Sequence, residues 1–238
     1  MELKRSKDRK VTTLSTNNGK IAKIANSFGL PAGKNYSCRG ETEICSKVCY
    51  AGKLEKLYTN VRKVLIHNWD LLSTADYSTQ VNLISNMMKE FRLESEKWNA
   101  EKLFRIHWDG DFFSDEYAYA WKEVILSTPD IQYWVYTRVD SAARILQGID
   151  NLSLYYSADN DNLTTAKKLS NEGIRLAYLA DTFAMGADTL KEIIGKVGAK
   201  CPENAKQIPL IDSNGGACVS CGLCVHNKAD IRFSATKK

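Results

Sequence analysis

Apolar and polar positions along this chain switch between two periods, and the switching predicts a fold. Residues 21–25 form a short apolar run that predicts a first strand, closed by Gly29, Pro31 and Gly33. Leu57, Val61, Val64, Leu65 and Leu72 recur near helical spacing, as do Val81, Ile84, Met88 and Phe91, which predicts two helices. An aromatic and β-branched run from Leu103 to Trp108 predicts the next strand and ends in the turn signal Asp109-Gly110-Asp111. Ser114 then stands as a helix N-cap, with Asp115 and Glu116 in a first turn whose dipole favours acids. Tyr117, Trp121, Val124 and Ile125 make that helix's buried stripe, and Pro129 closes the unit.

The same grammar repeats. Residues 132–137, 152–156 and 174–179 read as strands, with helices opened by Asp140, Asp161 and Asp188 and stopped near Gly148 and Gly198. Residues 208–211 read as a last strand, placed at an edge by Pro209. Strand starts near 103, 132, 152 and 174 recur at the length of a βα unit, so the sheet is expected to be parallel and covered by helices. About six strands predict a partial (βα)6 barrel of TIM type, one α/β domain over 1–238, with cysteine-rich loops at the C-terminal rim of the strands. Residues 1–20 are expected to be loosely held, and residues 201–227 to form a cysteine-rich, cluster-binding segment.

Composition narrows the function classes. Hydrophobic residues are 44% and charged residues 26% of 238, so a large core is available without disulfide staples. No apolar run approaches a membrane span, and no signal-peptide core opens the chain, which predicts a cytoplasmic protein with no membrane partner. The net charge of +5 comes partly from Lys4, Arg5, Lys7, Arg9, Lys10, Lys237 and Lys238 at the two ends, so nucleic acid carries little weight as a partner. Seven cysteines in a reducing compartment then read as metal ligands.

The densest thiol run is Cys218-Val-Ser-Cys221-Gly-Leu-Cys224, flanked by Gly215, Gly216 and Gly222. Its x2, x2 spacing suits an iron–sulfur cubane, whose corners need sulfurs aimed from a tight loop. A cubane takes four ligands, and Cys201, followed by Pro202, supplies the nearest further thiol. Zinc is the alternative, since four thiolates also make a structural tetrahedron, although zinc sites more often use separated C-x2-C pairs. A looser group, Cys38, Cys45 and Cys49, follows the first predicted strand. One or two [4Fe–4S] clusters account for all seven thiols. His107, Asp109, Asp111, Arg138 and Asp159 lie at or just beyond predicted strand ends, where a barrel keeps catalytic groups, and would form a polar cup beside the cysteines. The plainer readings are helix caps for the aspartates and an internal ion pair for Arg138. His67 reads as a packing residue and His226 as a loop residue.

The Cys-Tyr-Ala ending of residues 37–52, the stretch Phe104-Arg-Ile-His-Trp-Asp-Gly-Asp-Phe-Phe-Ser114, Tyr-Trp-Val-Tyr-Thr-Arg at 133–138 and the late Cys-x2-Cys-Gly-Leu-Cys together resemble the gene-product-88 family of phage-encoded proteins. That resemblance implies phage origin, and hence the cytoplasm of an infected host. A more distant likeness is to radical S-adenosylmethionine enzymes, which are partial barrels with a three-cysteine cluster loop after the first strand. It implies S-adenosylmethionine as cofactor, with Asp109, Gly110 and Asp111 standing where those enzymes carry a Gly-Gly-Glu segment. The loop here is C-x6-C-x3-C where theirs is C-x3-C-x2-C. Three function classes stay open. One is a redox enzyme acting on a small molecule and fed by an electron donor; another is a non-enzymatic electron-transfer, redox-sensing or structural iron–sulfur protein. The third is a zinc-stabilised nucleic-acid-binding protein.

Overall fold

A computed structural model describes residues 1–236. In chain order the helices are α1 (Glu43–Val48), α2 (Tyr50–Leu57), α3 (Thr59–Leu72), α4 (Tyr77–Trp98), α5 (Asp115–Ser127), α6 (Asp140–Leu146), α7 (Leu163–Asn171), α8 (Phe183–Ile194) and α9 (Ala217–Cys221). The strands are β1 (Leu103–Ile106), β2 (Gln132–Thr137), β3 (Leu152–Ala158), β4 (Arg175–Ala180), β5 (Ala199–Lys200), β6 (Ile211–Asp212), β7 (Gly215–Gly216) and β8 (Ile231–Ser234). Local chemistry sets the boundaries. Ser114 caps α5 by accepting the Tyr117 N–H at 3.0 Å, and Asp76 caps α4 by accepting the Thr79 N–H at 2.8 Å. Asn99 ends α4 in the left-handed conformation.

The main sheet has the order β1-β2-β3-β4-β8-β5, and every pair in it is parallel. Parallel neighbours need crossover connections, and those between β1 and β4 are α5, α6 and α7, which cover one face. Alternation along each strand then sorts the core. Phe104, Ile106, Tyr133, Val135, Leu152 and Leu154 share one core with the buried faces of α4, α5 and α6, and Leu176 and Tyr178 share another with α7 and α8. The opposite face shows Leu103, Trp134, Tyr155 and Ala177, covered by the cysteine-rich segment and by a 3₁₀ turn at Arg9–Val11. The stripe expected of α5 is fully buried.

The parallel sheet covered by helices is as expected, and among the described residues it stays open, with no barrel closure. Several other expectations are corrected. Residues 21–25 are not a strand. The extended stretch beside β1 is 26–30, where Arg105 donates to Asn26 O (3.0 Å) and Phe28 to Arg105 O (3.1 Å). Residues 208–211 do not join the main sheet. Ile211–Asp212 forms a hairpin with Gly215–Gly216, and the strand that completes the sheet is β8, beyond the cysteine run. Residues 1–20 are not loose: Leu3 and Val11 are buried, and Ser6 bridges to Ser27. Helix α8 starts at Thr182, whose hydroxyl accepts the Met185 N–H, and it stops at Gly195. Asp159, not Asp161, caps the turn before α7.

Candidate metal centre and polar rim

The C-terminal cysteines lie on the sheet face that α5–α7 leave free. Leaving β5, the chain turns at Cys201, whose Sγ accepts the Asn204 N–H at 3.5 Å. The β6–β7 hairpin returns it to α9, which carries Cys218 and Cys221. Gly222, at φ 65, reverses the chain into the turn that holds Cys224. Cys201, Cys218, Cys221 and Cys224 thereby line one cavity of about 20 Å³, together with Pro202, Glu203 and Leu223. The fourth thiol expected for the run is therefore beside it. Glu203, a carboxylate at the cavity wall, is held by Lys10 at 2.9 Å. All seven cysteines are unpaired thiols.

Burial governs their charge. It pushes Cys218 and Cys201 up, and Cys224 up to about 12, so each stays protonated unless a cation replaces the proton. At Cys218 the nearby guanidinium of Arg105 opposes the burial effect. The phenol of Tyr136 is buried against Cys218 and Cys224 and is itself held neutral by that burial.

The three N-terminal thiols sit at the C-terminal rim of the sheet. Hydrogen bonds from Trp108 to Phe28 O and from Leu30 to Asp109 O carry residues 26–30 alongside β1 to that rim. Thr42 caps α1 by accepting the Cys45 N–H at 3.1 Å, and the Cys49 Sγ caps α2 by accepting the Gly52 N–H at 3.3 Å. Burial pushes Cys38, Cys45 and Cys49 up. Asp111 adds to the effect at Cys38, and Cys49 adds to it at Cys45.

Four of the five expected polar residues meet at this rim. Asp111 accepts the Thr137 hydroxyl (2.6 Å), the Phe112 N–H (2.8 Å) and the Arg138 N–H (2.8 Å). Arg138 pairs with Asp159 at 2.6 Å, both nearly or wholly buried, and Thr42 donates to the same carboxylate oxygen at 2.6 Å. The ion pair is therefore also the clasp that fixes the Cys45 helix to the strand ends. Asp109 is pushed up to about 8 by burial and by the buried carboxyl of Glu55, which lies close enough to its side chain to share a proton with it. Gly110 is required between the two aspartates. Its φ is +78°, and a Cβ would meet Ser37 Oγ and, at 2.7 Å, Leu30 O.

His107 does not join the cup. β1 ends at Ile106, and a φ of 55° at His107 turns its ring away from the Arg105 face into the aromatic core of Phe28, Phe112, Tyr117 and Trp121. Its Nε2 meets the Tyr117 hydroxyl at 3.0 Å, its Nδ1 has no partner among the described residues, and burial lowers its pKa to about 3. It stays a neutral core residue. His67 contacts Glu2 O and His226 is exposed.

Sequence reasoning missed Thr42, Glu55 and Arg105. Glu55 sits between Lys53 and Lys56 and looks like a solvated helix residue, so nothing marked it. Arg105 did carry a signal, as the one charge inside an apolar strand. A cleft of about 530 Å³, lined by Gln147, Arg175 and His226 among others, opens at the other end of β3 and β4 and contains no cysteine. Among the described residues no three His, Cys, Asp or Glu side chains close on one point as a single ion requires, and no helix is long and apolar enough to cross a membrane.

No solved structure matches this chain. It is 49% identical over 242 residues to the gene 88 protein of Mycobacterium phage L5, covering 100% of this chain and 99% of that protein. It is 48% identical over 242 residues to the gene 88 protein of Mycobacterium phage D29, with 99% of each covered. Neither relative extends the likeness to radical S-adenosylmethionine enzymes. The family model for gene product 88 matches residues 1–227, and with that span the chain belongs to the gene product 88 family.

Proposed function

We propose that this protein is an iron–sulfur protein that holds a [4Fe–4S] cluster on Cys201, Cys218, Cys221 and Cys224. The observation that carries the reading is that these four thiols, and no other sulfur, line a single cavity. The donor set fits the group: soft thiolates select zinc or iron–sulfur chemistry, and the one carboxylate at the wall is occupied by Lys10. Around one zinc, sulfurs at about 2.3 Å from the metal stand roughly 3.8 Å apart. Among the described residues no three donors converge on one point, so either group would draw the thiols into place as it binds. The second reading is a structural zinc ion, favoured by the cavity's size, which is close to that of one water.

Cys38, Cys45 and Cys49 form a second, three-thiol set beside Asp109, Asp111, Arg138 and Asp159. A cluster bound there would keep one iron open to a small molecule, which is the chemistry an enzyme would use. The residues' own part is to hold that molecule: Arg138 offers a nearly buried cation, and Asp109 a carboxyl whose raised pKa lets it carry a proton. The open sheet, with its crossover helices on one side, reads as the arc of a partial barrel whose rim carries this cup. An electron donor is the expected partner, and the infected host's cytoplasm the expected compartment.

The test is anaerobic purification with iron, sulfide and zinc counted per chain, alone and in Cys221→Ala and Cys45→Ala. A brown protein that loses about four irons in Cys221→Ala supports the reading. Stoichiometric zinc without sulfide refutes it. If Cys45→Ala leaves the iron untouched, the three-thiol set is structural and the enzyme reading falls.

A further inference from the structure

The cavity lined by Cys201, Cys218, Cys221 and Cys224 is about the size of a water molecule, so a metal group enters or leaves only if a wall moves. Two of the thiols are tied to the main sheet. The Cys201 N–H donates to Arg232 O of β8 at 3.1 Å. On either side of Cys224, Leu223 O accepts the Tyr155 hydroxyl at 3.2 Å and Val225 O accepts the Ser153 hydroxyl at 2.6 Å. Cys218 and Cys221 stand instead on α9, a helix of five residues reached through the short β6–β7 hairpin. Among the described residues, a single hydrogen bond runs from residues 210–221 to any part of the chain outside 201–227. It joins the Gly216 N–H to Thr12 O at 2.8 Å. Helix α9 is therefore the wall that can move, and the N-terminal segment holds it.

Residues 8–12 bridge the sheet to that wall. Asp8 pairs with Arg105 of β1 at 2.6 Å, and its N–H donates to the Asn26 side chain at 2.8 Å. Val11 is fully buried in one apolar cluster with Leu103, Trp134 and Cys224. The turn at Arg9–Val11 packs on α9 and β7, and Lys10 pairs with Glu203 of the cavity wall at 2.9 Å. The closest approach is at Gly216. Its backbone is extended, with φ −75° and ψ 153°, which any residue adopts, so its own conformation does not call for glycine. A Cβ there would strike the carbonyl oxygens of Arg9 and Lys10. Glycine is needed because the N-terminal segment lies directly on it.

We propose that residues 8–12 are a strap that latches α9 over the four thiols and sets how fast their metal group is exchanged. The inference rests on the reading above only in that these thiols hold a metal group, iron–sulfur or zinc. With the strap docked the thiols stay enclosed; lifting it frees Cys218 and Cys221 to swing away from Cys201 and Cys224. As each metal–sulfur bond then breaks, the thiolate takes up a proton and the metal passes to a competing chelator. Strap docking and metal retention are coupled, and each favours the other.

The test uses the full chain, purified anaerobically, as wild type, Gly216→Ala, Lys10→Met and, as a control at an exposed neighbour, Lys7→Ala. Iron, sulfide and zinc are counted first. Release of the bound metal to an excess of chromogenic chelator is then timed, and amide hydrogen exchange reports the opening of residues 8–12. Gly216→Ala should speed exchange there and leave β2 protected. It should also raise the release rate by about tenfold or more, the effect expected of a methyl forced into a packed contact. Lys10→Met should raise the rate about threefold, as the loss of a partly exposed ion pair predicts, and Lys7→Ala should match wild type. A strap that only supports the fold would lower the melting temperature in Gly216→Ala and leave the release rate unchanged, which overturns the proposal. Residues 8–12 that exchange no faster in Gly216→Ala overturn it too. If that variant does not fold, Lys10→Met decides, and release at the wild-type rate overturns the strap. Zinc without sulfide refutes the cluster reading, and the strap then stands or falls on zinc release. A wild type without bound metal overturns both.

Discussion

His107 should make this protein sensitive to mild acid, and the size of the effect follows from its surroundings. Its ring is 4% exposed, with one hydrogen bond, to the Tyr117 hydroxyl at 3.0 Å, and its folded pKa is lowered to about 3 by burial. The unfolded chain takes up this proton below about 6.5. Between those values the unfolded state binds more protons than the folded one, so stability rises with pH and is lost as pH falls from about 6.5 toward 3. Each pH unit in that window is worth about 1.4 kcal/mol, or roughly 3 kcal/mol between pH 6.5 and 4.5. The variant to compare is His107→Asn, because asparagine tolerates the left-handed backbone at this position. It lowers stability by leaving a cavity, but that cost does not depend on pH. Urea unfolding of both proteins from pH 4.5 to 8 gives the difference curve, in which groups common to both cancel, including Asp109 and Asp111. The curve should converge by roughly 3 kcal/mol over the acidic half and run level above pH 7. A difference that stays level down to pH 4.5 would mean that the ring gains its proton without cost, and the burial argument would be wrong.

Gly110→Ala should cost several kcal/mol, since it forces a Cβ onto Ser37 Oγ and Leu30 O at a φ of +78°; thermal melting reads the loss, and a shift of only one or two degrees would refute it. Arg138→Met should destabilise by about 3 kcal/mol, because Asp159 is left buried with a charge that only the Thr42 hydroxyl and the backbone of its own cap still meet, whereas the Arg138→Met, Asp159→Asn double variant should recover part of it. Urea midpoints decide, and strict additivity would sink the argument. Cys221→Ala should lower the melting temperature and metal content together, since metal-binding free energy is folding free energy when the site forms only on folding; loss of one without the other would show that Cys221 is no ligand.

What could be read from the sequence was whatever two periods and a cap can encode. Tyr133 and Val135 alternate with Trp134 and Tyr136 so cleanly that strand β2 and its two faces were visible, and Ser114 announced α5. The x2, x2 thiol run pointed to Cys201 as its nearest further thiol, and all four do line one cavity. The failures have physical causes too. β8 is only four residues long and follows the cysteine segment, so its alternation looked like a tail. The turn at His107 depends on a positive φ that no pattern of hydrophobicity records, and this single dihedral moves the imidazole from the polar cup into the core. Thr182 capped α8 through a hydroxyl, while Asp188 offered the more conventional signal six residues later.

Charge alone does not separate the two thiol groups. Burial raises Cys218 and Cys45, and in each case a guanidinium opposes it, Arg105 at the first and Arg138 at the second. Acids act in the same sense as burial in both groups, Glu203 at Cys201 and Asp111 at Cys38. What differs is the number of thiols and their enclosure. Four thiols line one cavity on the covered face of the sheet, whereas three stand at the rim beside the buried Arg138–Asp159 pair. A cubane takes four ligands, so on the proposed reading the first group ligates its cluster fully and the second leaves one position open. The rim, with Arg138 at hand, is then where a polar molecule would bind.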